Sequence, residues 1–306
     1  MSLSLQIIGS NSAAFAHNRH QTSQLLKIQD QTILIDCGEG TQLLLKKNQA
    51  KVSKINIIVI SHLHGDHYYG LIGLISTLHL FGRQKELKLI GPPGLADIIT
   101  LQLRYSETSL NFKVDFIEWV PDQVQLVLDE PKFTITTIPL DHRVPCSGYL
   151  FQEKEKKRRI DKSVVQERLA PNHVFALKNG NDVLDESGNV RYKNEEATLP
   201  PIPAFSYAYC SDTRYRKEII EQIANVNMLY HESTFTEEMK ERARNTYHST
   251  AAEAATIASE AKVGKLLLGH FSTRYKDLSP ILMEARSVFR NSELAIEGHT
   301  FEINHE

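Results

Sequence analysis

Ser61-His62-Leu63-His64-Gly65-Asp66-His67 follows directly on the apolar run Ile55-Asn56-Ile57-Ile58-Val59-Ile60. The run reads as a buried strand emptying into a loop. The loop carries three imidazoles and a carboxylate within six residues, and these are the ligands zinc and its neighbours take when thiolate is absent. In an extended loop His62 and His64 point the same way and grip one ion. A turn at Gly65 brings Asp66 and His67 round toward a second. An N-cap at a helix start accounts for Asp66 alone and for none of the histidines.

Outward from this stretch the chain alternates strands with helices, the pattern of an α/β fold. Upstream, Thr32-Ile33-Leu34-Ile35 empties into Asp36-Cys37-Gly38-Glu39-Gly40. Downstream, Leu71, Leu74, Ile75 and Leu78 fall at i, i+3, i+4 and i+7, an amphipathic helix starting near Tyr69. Further strands are expected at 87–90, 133–138, 205–210, 228–230 and 265–268, and four of these stop close to His142, Asp212, His231 and His270. A two-metal site needs more ligands than the loop offers, and His142, Asp212 and His270 are the candidates, with Asp212 able to bridge.

Composition bounds the function. The 306 residues carry 35 Lys+Arg against 37 Asp+Glu, a formal charge of −2. That balance excludes coating onto nucleic acid or anionic lipid by bulk charge. No apolar run approaches the roughly 20 residues of a membrane span, and Met1-Ser2-Leu3-Ser4-Leu5-Gln6 lacks the basic and apolar regions of a secretory signal. Cys37, Cys146 and Cys210 are too few and too scattered for a disulfide framework or a thiolate zinc site. The expectation is a cytoplasmic protein with no membrane partner.

From 151 to 203 the chain turns polar and turn-rich, opening on Glu153-Lys154-Glu155-Lys156-Lys157-Arg158-Arg159 and closing on Leu199-Pro200-Pro201-Ile202-Pro203. It reads as a flexible arm inserted into a single domain spanning 1–306. Residues 151–170 hold seven Lys/Arg against four Asp/Glu. By itself that is the composition of a solvated charged face.

The loop His62-x-His64-x-Asp66-His67, with His142, Asp212 and His270 at wide spacing, resembles the metallo-β-lactamase fold, and within it the ribonuclease Z family, tRNA 3′-processing endoribonucleases. The resemblance runs from Leu5-Gln6-Ile7-Ile8-Gly9-Ser10 to Gly269-His270-Phe271-Ser272-Thr273-Arg274-Tyr275. It is narrowed to the nucleases by His231-Glu232-Ser233-Thr234-Phe235, by His248-Ser249-Thr250-Ala251-Ala252 and by the arm after Gly148-Tyr149. It implies an αββα four-layer sandwich and two zinc ions, for which Mn²⁺ or Co²⁺ are possible substitutes. His62, His64 and His142 would hold one ion, Asp66, His67 and His270 the other, with Asp212 between them. The arm reads Leu169-Ala170-Pro171-Asn172-His173-Val174-Phe175-Ala176-Leu177-Lys178-Asn179-Gly180 where the family usually has a Gly-Pro-rich tip.

The resemblance further implies precursor tRNA as substrate, removal of its 3′ trailer, and a homodimer in which one subunit's arm presents tRNA to the other's site. Asp66 is the family's proton acceptor; held by a cation its pKa falls, so orienting a nucleophile suits it better than holding a proton. His248 is the candidate proton donor to the departing 3′ oxygen. Thr250-Ala251-Ala252-Glu253 reads as a capping box that places His248 just outside a helix N-terminus. That dipole disfavours imidazolium, and Glu232 would supply the counter-charge. Lys156, Lys157, Arg158 and Arg159 are expected to contact tRNA phosphates as an exosite, and Arg274 to touch substrate. The alternative is a small-molecule phosphodiesterase or related ester hydrolase on the same dimetal scaffold.

Overall fold

The computed structural model describes residues 3–303. Strands β1 (Leu3–Gly9), β2 (Ser23–Ile28), β3 (Gln31–Ile35), β4 (Ile55–Val59), β5 (Leu87–Gly91) and β6 (Val114–Glu118) come first. Helices α1 (Thr41–Lys47), α2 (Gly65–Tyr68), α3 (Leu71–Leu80) and α4 (Leu95–Tyr105) are interleaved with them. Three strands follow: β7 (Leu126–Asp129), β8 (Phe133–Pro139) and β9 (Ser147–Glu153), with β7 and β8 antiparallel. Next come the short elements β10 (Arg159–Ile160), α5 (Pro171–Lys178), β11 (Val183–Leu184), β12 (Val190–Tyr192), α6 (Asn194–Ala197) and β13 (Thr198–Leu199). The last part holds β14 (Ser206–Cys210), α7 (Ile219–Gln222), β15 (Met228–Glu232), α8 (Lys240–Thr246), α9 (Ala251–Glu260), β16 (Lys265–Gly269), α10 (Ser279–Val288), β17 (Ser292–Leu294) and β18 (Thr300–Ile303).

Two seven-stranded sheets result, in the orders β18-β1-β2-β3-β4-β5-β6 and β17-β16-β15-β14-β9-β8-β7. Alternation along each strand explains how they stack, because successive side chains leave opposite faces. In β4, Ile57 and Val59 join a core shared with Phe133, Ile135, Tyr149, Tyr207, Tyr209 and Tyr230 of the second sheet. Ile58 faces the other way and packs with Leu71, Leu74, Ile75 and Leu78 of α3. In β15, Tyr230 enters the shared core, while Leu229 meets Ala254, Ala255 and Ala258 of α9. Three apolar layers thus separate helix, sheet, sheet and helix, the expected αββα sandwich.

The strands that carry the site end together. β14, β15 and β16 are parallel, with Cys210 opposite His231 and Glu232 opposite Gly269. Their carboxyl ends therefore open on one edge, where parallel α/β sheets place their ligands. Across from them, β4 delivers the histidine loop. The loop is seated by close backbone approach: a Cβ on Gly70 would lie 2.2 Å from the carbonyl oxygen of Gly38.

The chain divides into two compact units. The sandwich comprises the described residues up to Gln152 and from Phe205 onward, and residues 153–204 form the second unit. β9 and β14 are antiparallel neighbours with Gln152 opposite Ser206, so the second unit is inserted between two paired strands. It has its own small core of Val165, Leu177, Val183 and Ala197. Pro171 to Lys178, within the 169–180 stretch of the arm, form helix α5, with Phe175 65% exposed. No helix among the described residues is long and apolar enough to cross a membrane.

Candidate metal centre

The loop after β4 behaves as its residues dictate up to Gly65. His64 is extended at φ −79° and ψ 144°, and the helical turn α2 starts at the next residue. Asp66 is not the N-cap; that position is His64, and no side chain caps the turn. Instead the Asp66 Oδ2 accepts from the backbone N–H of Ala13 at 2.7 Å. This ties the N-terminal loop to the site.

His62, His64, His142 and Asp212 each bring a donor atom within 4.8 Å of one another. Asp66, His67 and His270 make a second such set, and Asp212, Glu232, His248 and His270 a third. Asp212 lies between the histidines. Its Oδ2 faces His62 Nε2 at 3.7 Å and His142 Nε2 at 3.8 Å. Its Oδ1 faces His67 Nε2 at 3.4 Å and His270 Nε2 at 3.1 Å. One carboxylate thus offers one oxygen to each histidine set.

The donor spacing fits divalent metal. His64 Nδ1 is 3.1 Å from both His62 Nε2 and His142 Nε2, and His67 Nε2 is 3.4 Å from His270 Nε2. Two ligands held about 2.0–2.1 Å from a tetrahedral ion stand roughly 3.3 Å apart. The far sides of the rings are anchored as metal-ligating histidines usually are. Nδ1 of His62 meets Ser61 Oγ at 3.0 Å, Nδ1 of His142 meets the Tyr247 carbonyl at 3.0 Å, and Nδ1 of His270 meets Thr234 Oγ1 at 2.9 Å. Nδ1 of His67 meets Asp36 Oδ2 at 2.7 Å.

Electrostatics separate these groups. Burial holds the His62 imidazole neutral, its pKa well below the usual value, and the neighbouring His67 adds to the effect. Burial also opposes charge on His67, but Asp212, Asp66 and Asp36 outweigh it and lift the pKa to about 10. Asp66 is held below the usual carboxylate range: burial opposes its ionisation, and His67 and His270 prevail. The site therefore concentrates acceptors around positions where positive charge is favoured.

Beside the donor sets stand Glu232 and His248. Glu232 is fully buried. Its Oε1 accepts from the Thr213 N–H at 2.9 Å and from His248 Nδ1 at 2.8 Å, and its Oε2 from the Thr234 N–H at 3.2 Å and hydroxyl at 2.6 Å. Burial works against the His248 imidazolium, yet Glu232, with Asp212 and Asp66 behind it, raises its pKa to about 9. The capping box is present: Thr250 Oγ1 accepts from the Glu253 N–H and Glu253 reaches back to Thr250. A cap of this kind contributes about 1 kcal/mol and fixes where α9 begins, at Ala251, three residues after His248.

The remaining candidates stand outside the donor sets. His231 is buried in β15, its Nδ1 against the Glu232 carbonyl at 2.7 Å, and belongs to none of the three donor sets. Arg274 lines a cavity of about 690 Å³ floored by His64, His142, Asp212 and His270. In the second unit, Lys156 pairs with Glu153 at 2.7 Å, and Arg158 bonds Thr198 Oγ1 at 2.6 Å. Lys157 sits over the Phe175 ring at 5.2 Å, and Arg159 is exposed.

Several site residues went unassigned in the sequence. Asp36, buried with φ 53°, accepts from the Ser61 N–H at 2.7 Å, Ser61 Oγ at 2.8 Å and Tyr209 hydroxyl at 2.5 Å as well as from His67. Its place at the end of an apolar strand was the available signal. Tyr247, in the left-handed region at φ 62°, turns its carbonyl onto His142 and carries the Arg214 guanidinium 3.5 Å from its ring centroid. Arg143 and Arg242 line the same cavity as Arg274; lone arginines leave no sequence signal.

Comparison with known proteins places this geometry. A family model described as anti-Pycsar protein Apyc1 matches residues 3–154. Among solved structures, human tRNase Z, short form, aligns over 99% of this chain and 100% of its own, with a TM-score of 0.72 and 24% identity. The metallo-β-lactamase fold protein YhfI from Bacillus subtilis aligns over 99% and 100%, with a TM-score of 0.69 and 22% identity. These likenesses establish the metallo-β-lactamase fold. Ribonuclease Z of Cytophaga hutchinsonii is 46% identical over 99% of this chain and 97% of its own. Ribonuclease Z of Bacteroides fragilis is 46% identical over 96% and 97%. With that identity over an alignment that spans nearly the whole chain, the inserted unit included, the chain belongs to the ribonuclease Z family.

Proposed function

We propose that this protein is a metal-dependent endoribonuclease that removes the 3′ trailer from precursor tRNA, leaving a 3′-hydroxyl on the tRNA and a 5′-phosphate on the trailer. The observation that carries this reading is the near-complete match to proteins named ribonuclease Z, which includes the inserted unit.

Residues His62, His64 and His142 on one side, Asp66, His67 and His270 on the other, and Asp212 between them would hold two divalent cations, zinc being the natural choice for this donor set. When bound, such ions supply an acidified water as nucleophile and positive charge for the phosphoryl oxygens. The chain's own residues do the rest. Asp66, held ionised, orients the nucleophile and stays unprotonated. His248 carries a proton to the departing 3′ oxygen, and Glu232 keeps that proton on the ring and fixes the ring by its Nδ1 bond.

Lys157 and Arg159, with the rest of the run from Lys156 to Arg159, would meet phosphates of the tRNA body. The resemblance to the family supports a homodimer in which arm and site come from different subunits, and a cytoplasmic location. The test is a precursor tRNA with a 3′ trailer, incubated with and without chelator. Cleavage after the discriminator base, abolished by chelation, is the expected result; an intact substrate alongside hydrolysis of a small phosphodiester would favour the small-ester alternative.

A further inference from the structure

We propose that Thr234 is a positioning residue that joins the two halves of the site, fixing His270 for metal and Glu232 for His248 through one hydroxyl. Thr234 Oγ1 has three polar neighbours: Glu232 Oε2 at 2.6 Å, His270 Nδ1 at 2.9 Å and His248 Nδ1 at 3.4 Å. A hydroxyl has one hydrogen to give. The carboxylate oxygen is both the nearest acceptor and the charged one, so the hydrogen goes to Glu232. His248 Nδ1 is already committed to Glu232 Oε1 at 2.8 Å.

Toward His270, Thr234 can then only accept. The His270 ring must carry a proton on Nδ1, so Nε2, which faces Asp212 Oδ1 at 3.1 Å and Asp66 Oδ2 at 3.6 Å, is the nitrogen left to ligate. A cation placed among Nε2 and these two carboxylate oxygens would take all three as donors. Thr234 thus selects the ring form that can ligate, as a carboxylate or carbonyl does for other ligating histidines. His270 stands at φ 57°, a conformation that disfavours any residue with a Cβ and that neighbouring contacts must hold in place. Thr234 is 3% exposed.

This inference rests on reading His270 as a metal ligand, and its test does not depend on tRNA cleavage. Thr234→Val keeps the shape and removes the oxygen; Thr234→Ser keeps the oxygen. Zinc-loaded protein is titrated with a competing chelator, and the ring nitrogens of His270 are observed by ¹⁵N NMR in the zinc-loaded wild-type chain. Expected are zinc retention roughly 10- to 100-fold weaker in Thr234→Val, retention like wild type in Thr234→Ser, and a proton on Nδ1 of His270. Wild-type retention in the Val variant, or a Ser variant as weak as Val, would overturn the proposal. So would a His270 proton on Nε2, and that measurement decides the matter if the Val variant does not fold. A chain that passes these tests and leaves precursor tRNA uncut refutes the proposed function and leaves Thr234 its role.

Discussion

Nδ1 of His248 lies 2.8 Å from Oε1 of Glu232, and that carboxylate has no freedom to turn away, because its four hydrogen bonds come from fixed donors in a fully buried pocket. If His248 is the proton donor, His248→Ala lowers kcat on precursor tRNA by about 10²–10⁴-fold, the usual worth of a general acid, with KM little changed. Glu232→Gln keeps the shape and removes the charge, so it falls in the same direction by a smaller factor. A leaving group that needs no proton, such as a nitrophenolate, should restore most of the His248→Ala loss. Equal losses on both substrates would remove His248 from that role.

The same pair sets a pH limit. The folded His248 pKa of about 9 lies above the ordinary value near 6.5, so the imidazolium is populated below about 9 and lost above it. Bound cations push this value down. Activity on precursor tRNA should therefore fall on the alkaline side with an apparent pKa at or below 9, and the alkaline limb should disappear in His248→Ala. The stability contributed by the pair follows the same sign: complete below the unfolded value near 6.5 and lost as pH rises through about 9.

Metal and proton compete at His67. Without metal its pKa of about 10 keeps it charged at neutral pH, so binding zinc to chelator-stripped protein must expel a proton. Calorimetric titrations in buffers of different ionisation enthalpy should show net proton release at pH 7, and zinc affinity should rise with pH. Asp212→Ala removes the carboxylate that gives one oxygen to each histidine set and is expected to cost both ions; a variant that still retains two zinc ions would rule out the bridging role.

For tRNA recognition, the run from Lys156 to Arg159 is not uniform. Lys156 and Arg158 are engaged with Glu153 and Thr198, which leaves Lys157 and Arg159 the more exposed pair. Replacing these two by Ala should raise KM for precursor tRNA and flatten its salt dependence, and replacing all four should add little further to KM while loosening the inserted unit. If Lys157→Ala with Arg159→Ala leaves KM and the salt slope as they were, the exosite lies elsewhere.

Asp36 gives a test of the scaffold alone. An amide at this position cannot accept from Ser61, His67 and Tyr209 at once, and each buried donor left unpaired costs about 1–3 kcal/mol. Asp36→Asn is expected to lower the melting temperature and weaken zinc retention together. Tyr209→Phe removes one donor and should lower stability with zinc retained.

The apolar runs announced the sandwich because buried parallel strands have nowhere to hide their composition: Ile55–Val59 is a strand from end to end. The terminal strands β1, β2 and β18 were not predicted: Leu3-Ser4-Leu5-Gln6-Ile7 alternates with the period of a strand, but its partners lie about 20 and nearly 300 residues away, and that pairing is not written in the local pattern. In the site, ligand types and spacing were readable in His62 to His67. What holds them was not. Asp36, Thr234 and the Tyr247 carbonyl act through tertiary contacts, and a carbonyl that orients His142 belongs to every residue type alike. The arm's basic run was visible as composition, but which of its charges are spent inside the unit depends on contacts with Thr198 and Phe175.

The insertion between β9 and β14 has an evolutionary consequence. Gln152 and Ser206 face each other across an antiparallel pair, so the whole second unit occupies the position of a hairpin loop. A loop at that place is free to lengthen, shrink or be exchanged without shifting the register of either sheet or the strand ends that carry His142 and Asp212. Substrate choice and bond-breaking chemistry are therefore separately heritable: a lineage can trade one arm for another, or lose it for a short turn, and keep an intact hydrolytic centre on which new specificity is built.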